Sequence, residues 1–498
     1  MKRVAILGGA RIPFARANTA YQEYDNQDML TAALKALVDR HELKGQRIGE
    51  VAGGAVIKHS RDWNLTRESV LGSGLHPETP AYDLQRACGT SLSALAQLGA
   101  RIALGEIDCA IACGVDSASD IPLAYGPDLQ KTILKSFKGK SLAEKARPWL
   151  DLRPGHLKPW PPSVGEPRTG LSMGQHCEEM AKEWKVTRKE QDELALASHK
   201  NAAAAWQSGF FSDLVVEFNG LTTDNNIRAD TSLEKLASLR TAFDPTPAGT
   251  LTAGNSSPLT DGAACVLLGS EAWARARGIP VQAWLTQAAV AAVDYAGLAG
   301  PREGLLMAPA YAVPQMLDRA GLRLQEFDLY EIHEAFAAQV LCTLKAWESD
   351  EYCRTRLGRG EAASHGPAHS ADADHADQHD GDGLFIPDRI GGDGQSSQQR
   401  VGDGGAIAGF ADSQKLWAFE RALEFEPDVV LWEVHAMGMT WLTNHLAQIG
   451  SSNVTVPYPE LRKRLEAAGI RPGISGLELK AKLRRIAPDL LKWIFSRV

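Results

Sequence analysis

Gln85-Arg86-Ala87-Cys88-Gly89-Thr90-Ser91 stands between an extended-looking Ala81-Tyr82-Asp83-Leu84 and the run Leu92 to Ala103. In that run Leu92, Leu95, Ala96, Gly99, Ile102 and Ala103 recur at helical spacing, which predicts a helix opening just after Cys88. A thiol there faces unsatisfied backbone N–H groups and the positive end of the helix dipole. Both favour thiolate over thiol and so make a nucleophile. A small buried core cysteine has the same local pattern. The stretch alone leaves both readings open.

On its N-terminal side, Val4 to Leu7 reads as a buried strand ending at Gly8-Gly9, Asp28 to Leu37 as a helix and Ile48 to Val56 as a strand. No helix opens after Gly8-Gly9 in a Gly-x-Gly-x-x-Gly frame, which speaks against a dinucleotide site. On its C-terminal side, Asp108 to Gly114 is a largely apolar strand. Period-two alternation turns Cys109 and Cys113 to one buried face, so the pair reads as core packing, not a metal motif. Strand, helix, strand in this order predicts an α/β fold with a mixed or parallel sheet covered on both faces.

The whole chain of 498 residues is long enough for two to four domains at about 100–200 residues each. Its 44% hydrophobic and 23% charged residues are those of an ordinary globular protein. A net charge of −8 speaks against nucleic-acid binding. Seven cysteines, an odd number, fit a reducing compartment better than a disulfide framework. The short apolar run at Met1 to Gly9 reads as a strand and not a signal peptide, and no apolar segment approaches the ~18–20 residues of a membrane span. A cytoplasmic protein is expected.

Beyond Asp120 the character changes. Lys131, Lys135, Lys138 and Lys140 alternate with Leu129, Ile133, Leu134 and Phe137, followed by Pro159-Trp160-Pro161-Pro162. This reads as a partly helical excursion whose apolar and basic surface suits an anionic ligand or a membrane face; a solvated helix over a satellite core is the other reading. Helices follow from Gly170 to Lys182 and from Thr187-Arg188-Lys189-Glu190, a capping box. His199 on the second of these reads as structural. Leu251 to Ala264 is dense in small residues that let a backbone approach a ligand closely, and it leads into a strand at Cys265 to Leu268. Asp328 to Ala337 reads as a short strand delivering His333 to a loop that opens a helix, Phe336 to Trp347. That position suits an active-site donor or base, and equally a helix-capping core histidine.

Taken in order, Gln85 to Ser91, Gly114-Val115-Asp116-Ser117-Ala118-Ser119, Met173-Gly174, Gly254-Asn255-Ser256-Ser257 with Asp261-Gly262-Ala263-Ala264, and His333-Glu334-Ala335-Phe336 resemble the thiolase family. The likeness runs from Met1 to about Gly358 and is nearest to 3-ketoacyl-CoA thiolases of the trifunctional-enzyme β-subunit type. It implies a duplicated α/β/α/β/α five-layer fold. The N-terminal half would be 1–270 with a loop domain at about 120–250, and 271–360 the beginning of the second half, the remainder being truncated or replaced. It implies ping-pong acyl transfer in which Cys88 is the acyl-thioester nucleophile and His333 lines an oxyanion hole. Ser257, Met173 and Asn255 would contact CoA or substrate. The same resemblance implies no metal or prosthetic group, with CoA itself a substrate. A homo-oligomer is implied, as is a hydratase–dehydrogenase partner subunit.

Two further family motifs, a Gly-His-Pro histidine and a Cys-x-Gly-Gly-Gly loop cysteine, do not occur: no cysteine follows Cys353, and His365-Gly366-Pro367 has another order. From about Glu361 the composition changes abruptly. Residues 361–410, with His365, His369, His375 and His379 among Ala, Asp and Gly, read as a disordered linker and not a metal site. Residues 411–498 read as a non-thiolase α/β tail. Its Lys415 to Phe425 helix and Pro427 to Trp432 strand are similar to the closing part of an SGNH-type hydrolase without the nucleophile block. Leu461 to Val498 reads as a solvated basic helix. Fusion or frameshift of the gene is one reading of this change. An inactive, thiolase-like acyl-CoA-binding protein is the other.

Overall fold

In the computed structural model, residues 1–327 and 330–360 are described. The linker and tail expected at 361–410 and 411–498 therefore lie outside the described residues.

Among the described residues nine strands occur in chain order: β1 (Val4–Arg11), β2 (Ala15–Arg16), β3 (Glu50–Gly53), β4 (Ala81–Asp83), β5 (Cys109–Asp116), β6 (Ala124–Tyr125), β7 (Pro159–Trp160), β8 (Thr260–Ser270) and β9 (Ala283–Leu285). The main sheet has the order β4-β3-β5-β8-β1-β9, with β2 added beside β8. β3 pairs parallel with β4 and β5, whereas β8 runs antiparallel to β5 and β1. Every residue of β1 is buried, as are all of β8 except its first. Successive residues of a strand point to opposite faces, so this sheet is covered on both, as its unbroken apolar runs predict. Cys113 faces Cys265 in register across β5 and β8, deep in that core.

Helices α1 (Asn26–Arg40), α2 (Leu65–Ser73) and α3 (Thr90–Leu104) pack on this sheet. The buried stripe of α3 is Ser91, Ala94, Leu95, Leu98, Gly99 and Ile102, with Leu92, Ala96 and Ala103 only half-buried. It is turned from the stripe expected, because the sheet accepts the small Ser91 and Ala94 as readily as leucine. The strand expected at Ile48 to Val56 is confined to Glu50–Gly53. A Cβ on the next residue, Gly54, would lie 2.1 Å from the Leu84 carbonyl oxygen, so the chain turns away there.

Between β5 and β8 the chain makes its excursion. It carries α4 (Pro127–Lys138), α5 (Leu142–Ala146), the β6–β7 ribbon, α6 (Met173–Glu183), α7 (Arg188–Gln207) and α8 (Leu233–Ala237). The Thr187/Glu190 capping box forms at the head of α7. His199 accepts a hydrogen bond from the Arg228 N–H (3.2 Å), a structural contact.

After β8 come α9 (Glu271–Arg277), α10 (Ala308–Ala320), α11 (Ala337–Glu348) and α12 (Asp350–Thr355). Here the structure departs from the expectation of a strand before His333. Residues 330–334 have no regular secondary structure, and Asp328 and Leu329 lie outside the described residues. β9 joins the first sheet through β1, and no second large sheet forms among the described residues. The fold seen is mixed α/β. None of its described helices is long and apolar enough to cross a membrane.

Candidate active site

β1, β3, β4 and β5 run in one direction and β8 in the other. The C-terminal ends of the first four and the N-terminal end of β8 therefore meet at one edge of the sheet. The loop before α3, the turn after β5 and the small-residue loop before β8 all emerge there. Crevices outside strand C-termini are where α/β sheets commonly hold ligands.

Cys88 sits two residues before α3 and is exposed; the other six cysteines of the chain are buried. Burial pushes the Cys342 thiol up to about 12, and those of Cys109, Cys177 and Cys265 up as well, which keeps them neutral. The turn that presents Cys88 is held in an unusual shape: Ala87 has φ +43°, a conformation sparsely populated for any side chain. Thr90 braces it. Its hydroxyl donates to the Ala87 carbonyl (2.7 Å) and accepts from the Arg86 N–H (2.9 Å), while the Gly89 N–H donates to the Arg86 carbonyl (2.8 Å).

Neighbouring loops are laced to this turn. Gln85 donates to the Val56 carbonyl (2.8 Å), and Asp116 accepts from the Val56 and Ile57 N–H groups (2.8 and 2.9 Å). Asp261, fully buried at the start of β8, accepts from the Ser119 N–H (3.0 Å) and hydroxyl.

His333 arrives by a different route. The Ser257 N–H donates to the Ala335 carbonyl (2.9 Å) and the Ala337 N–H to the Asn255 carbonyl (3.0 Å), with Ser256 and Phe336 paired antiparallel. The small-residue loop and the His333 loop are thus one backbone unit. Asn255 is 2% exposed. Its amide donates to Asp192 (2.9 Å) and its oxygen accepts from the Thr252 N–H (2.7 Å). Behind it, buried Glu178 accepts from the N–H groups of Thr250 (2.8 Å) and Leu251 (2.9 Å), and Asp192 pairs with Arg188 (2.7 Å). Two helices of the excursion, α6 and α7, so hold the loop that holds the histidine.

Met173 opens α6 and is half-buried. A Cβ on Gly174 would fall 2.2 Å from the Phe243 ring, and Phe243 meets Phe336 edge-on at 5.7 Å. The glycine is what lets α6 close on this aromatic pair. Buried His176, one turn on, contacts Thr169 (2.8 Å) and Arg302 (3.3 Å) and stacks edge-on with Tyr295. Burial and the Arg302 charge push its imidazole down, toward the neutral form.

The sequence does not single out Glu178 and Asp192, and it gives Thr90 and Asp261 only as members of motifs, without a role of their own. The first two carried a signal: acidic residues on helix faces otherwise lined by Cys177, Met180, Ala181 and Leu194.

A family model for the thiolase N-terminal domain matches residues 4–272, and one for the thiolase C-terminal domain matches 286–365. The 3-ketoacyl-CoA thiolases of Yersinia pestis (strain Pestoides F) and Yersinia pseudotuberculosis serotype O:3 (strain YPIII) are each 40% identical over 366 residues, covering 72% of this chain and 82% of theirs. The solved Bacillus anthracis acetyl-CoA acetyltransferase superposes with a TM-score of 0.60 at 28% identity, over 73% of this chain and 87% of that one. With the exposed cysteine at the head of a buried helix and the histidine loop anchored beside the small-residue loop, these likenesses settle the family: the chain is a thiolase-type acyltransferase and belongs to the thiolase family.

Proposed function

We propose that the chain transfers acyl groups between CoA thioesters through an acyl-cysteine on Cys88, cleaving a 3-ketoacyl-CoA with CoA or running the reverse condensation. The observation that carries this is the position of Cys88: alone among seven cysteines it is exposed, and it precedes α3 on the edge from which the Asn255–Ser257 loop also emerges. The Cys88 thiolate attacks the keto carbon, and the oxyanion so formed collapses as the C2–C3 bond breaks. The two-carbon enolate takes a proton and leaves as acetyl-CoA. The thiolate of free CoA then attacks the acyl-cysteine and restores Cys88. In this scheme His333 donates to the thioester oxygen, a contribution that commonly dominates acyl-transfer catalysis. Ser257 and Met173 flank the pantetheine arm, and Asn255 sets the shape of the loop. CoA is a substrate, and neither a metal nor a prosthetic group takes part. Fatty-acid β-oxidation in the cytoplasm is the setting proposed.

The proton transfers are the weak point. No Gly-His-Pro histidine and no cysteine after Cys353 is present to supply them, and general acid–base assistance is worth about 10²–10⁴-fold. Half of the cycle should outlast turnover. Incubation with acetyl-CoA should add a slow acetyl mass to the intact chain and not to Cys88→Ala, while thiolysis of acetoacetyl-CoA stays near background. Full turnover would refute the impairment; absence of the mass gain would refute the nucleophile. The same missing motifs favour a second reading, a catalytically inactive acyl-CoA-binding protein, which calorimetry would reveal as CoA binding without any acylation. A homodimer is proposed as well, because β4 forms an edge of the main sheet; light scattering giving a monomer mass would refute it. A hydratase–dehydrogenase partner subunit is part of the same proposal, and co-purification of the two chains is its test.

A further inference from the structure

The segment that leaves β3 is bonded on both of its sides. On one side the Leu84 N–H donates to the Gly53 carbonyl (2.8 Å), and the Gln85 amide to the Val56 carbonyl (2.8 Å). On the other, the Val115 N–H donates to the Gly54 carbonyl (3.1 Å). There too, one oxygen of Asp116 takes both the Val56 and the Ile57 N–H groups (2.8 and 2.9 Å). The Asn26 amide, at the head of α1, ties down the Ile57 carbonyl (2.7 Å). Residues 53–57 are therefore a rung between the exit of β4 and the exit of β5.

Two of these bonds meet on a single peptide. The Val56 carbonyl and the Ile57 N–H belong to one planar unit, so the direction Asp116 gives the N–H is passed rigidly to the carbonyl that Gln85 grips. The carboxylate also polarises that peptide, which makes its carbonyl a stronger acceptor. What hangs on the rung is the Cys88 turn. Gln85, Arg86, Ala87 and Cys88 are all exposed, so packing does little to fix the turn from outside. Ala87 nonetheless keeps φ +43°, and backbone in such a region persists only where its surroundings over-determine it. Thr90 is the restraint within the turn, and Gln85 is the restraint on its outer side.

We infer that Asp116 is a positioning residue for Cys88, acting through the Val56–Ile57 peptide and Gln85 to hold the thiol at the head of α3. The inference deepens the acyl-transfer reading and rests on it for the chemistry that Cys88 performs. The placement of the thiol can be measured without any acyl group.

Alkylation of the full-length chain by iodoacetamide over a pH series tests it, because the reaction runs through the thiolate. Asp116→Ala should raise the pH midpoint of Cys88 labelling by about 0.5, or about threefold in rate at neutral pH, as the sulfur moves off the positive end of α3. Asp116→Asn keeps an acceptor oxygen for the two N–H groups and should restore most of the parent profile. Gln85→Ala, an exposed change, should shift the midpoint as Asp116→Ala does, with the melting temperature unchanged. The two together should shift it no further, since they cut one chain of bonds. Hydrogen exchange at the Val56 and Ile57 amides should quicken in Asp116→Ala and stay at the parent rate in Gln85→Ala. The inference fails if Asp116→Ala keeps the parent midpoint or if the two shifts add. It fails too if Asp116→Asn shifts the profile as far as Asp116→Ala, which would make the charge and not the bonds responsible. Should Asp116→Ala not fold, an unchanged profile in Gln85→Ala overturns the inference by itself. The mass gain from acetyl-CoA is read in parallel. Its absence from every chain, with the alkylation shifts intact, would refute acyl transfer at Cys88 and leave the positioning role standing.

Discussion

Cys88 and His333 reach the same edge of the molecule by different means. The Cys88 turn stands on its own sheet: β4 leads into it, α3 leaves it, and Thr90, four residues after Arg86, braces it. No described strand supports the His333 loop. It is held by backbone bonds to Asn255 and Ser257, and these depend on Asp192 and Glu178 from α6 and α7. The Cys88 turn is thus a local product of its half of the chain, and the histidine borrows its position from the other half.

The comparison can be broken in four ways. The largest effect should come from Cys88→Ala, which removes the acyl acceptor: mass spectrometry should show no acyl adduct at all, and a brief iodoacetamide pulse should no longer label the folded chain. Labelling of Cys109, Cys113 or Cys265 ahead of Cys88 in the parent would contradict the site.

Next comes Asn255→Ala. It takes the Asn255 donor from Asp192 Oδ1, which leaves Asp192 only its Arg188 partner among the described residues, and takes the acceptor from the Thr252 N–H. The cost is about 1–3 kcal/mol, and the anchor of the His333 loop loosens. Acylation by acetyl-CoA should fall by about 10²-fold, while the alkylation rate of Cys88 stays at the parent value. Equal losses in both measurements would mean the two regions are not separate.

Thr90→Val acts on the other side. Losing one hydroxyl that serves both Arg86 and Ala87 costs on the order of 1 kcal/mol, so alkylation of Cys88 should slow about fivefold. Thr90→Ser keeps the oxygen and should restore it.

The smallest effect concerns the stability of the first half. Burial and the neighbouring Arg40 push the His41 imidazole, at the end of α1, down to about 4. Between that value and the ordinary 6.5 the unfolded chain binds a proton that the folded chain does not. Its contribution is therefore complete above about pH 6.5 and is lost as pH falls toward 4. The melting temperature should drop between pH 7 and pH 5, and His41→Gln should flatten that slope.

Much of this was legible in the sequence because it is local. The apolar runs at Val4 to Leu7 and Cys109 to Gly114, the Thr187 capping box and the helix after Cys88 depend on neighbours a few residues away. The five-layer duplication is another matter. The resemblance implies a second sheet, and among the described residues only β9 follows α9, seated on the first sheet. The stripe on α3 was misplaced by one position because periodicity alone does not tell alanine and serine on the inner face from leucine on the flank.

By itself the sequence determined the family, the candidate cysteine and the alternation of strands and helices, since each is written in contiguous residues or in motifs read in order. Only the tertiary structure decided that Asn255 turns inward to Asp192 and that Glu178 cradles the Thr250 loop. It alone decided that His333 is anchored through Ser257 and that Asp116 and Gln85 meet on the Val56–Ile57 peptide. Each of these depends on pairing between segments far apart in the chain, and a buried polar group takes whichever partner the packing brings within reach.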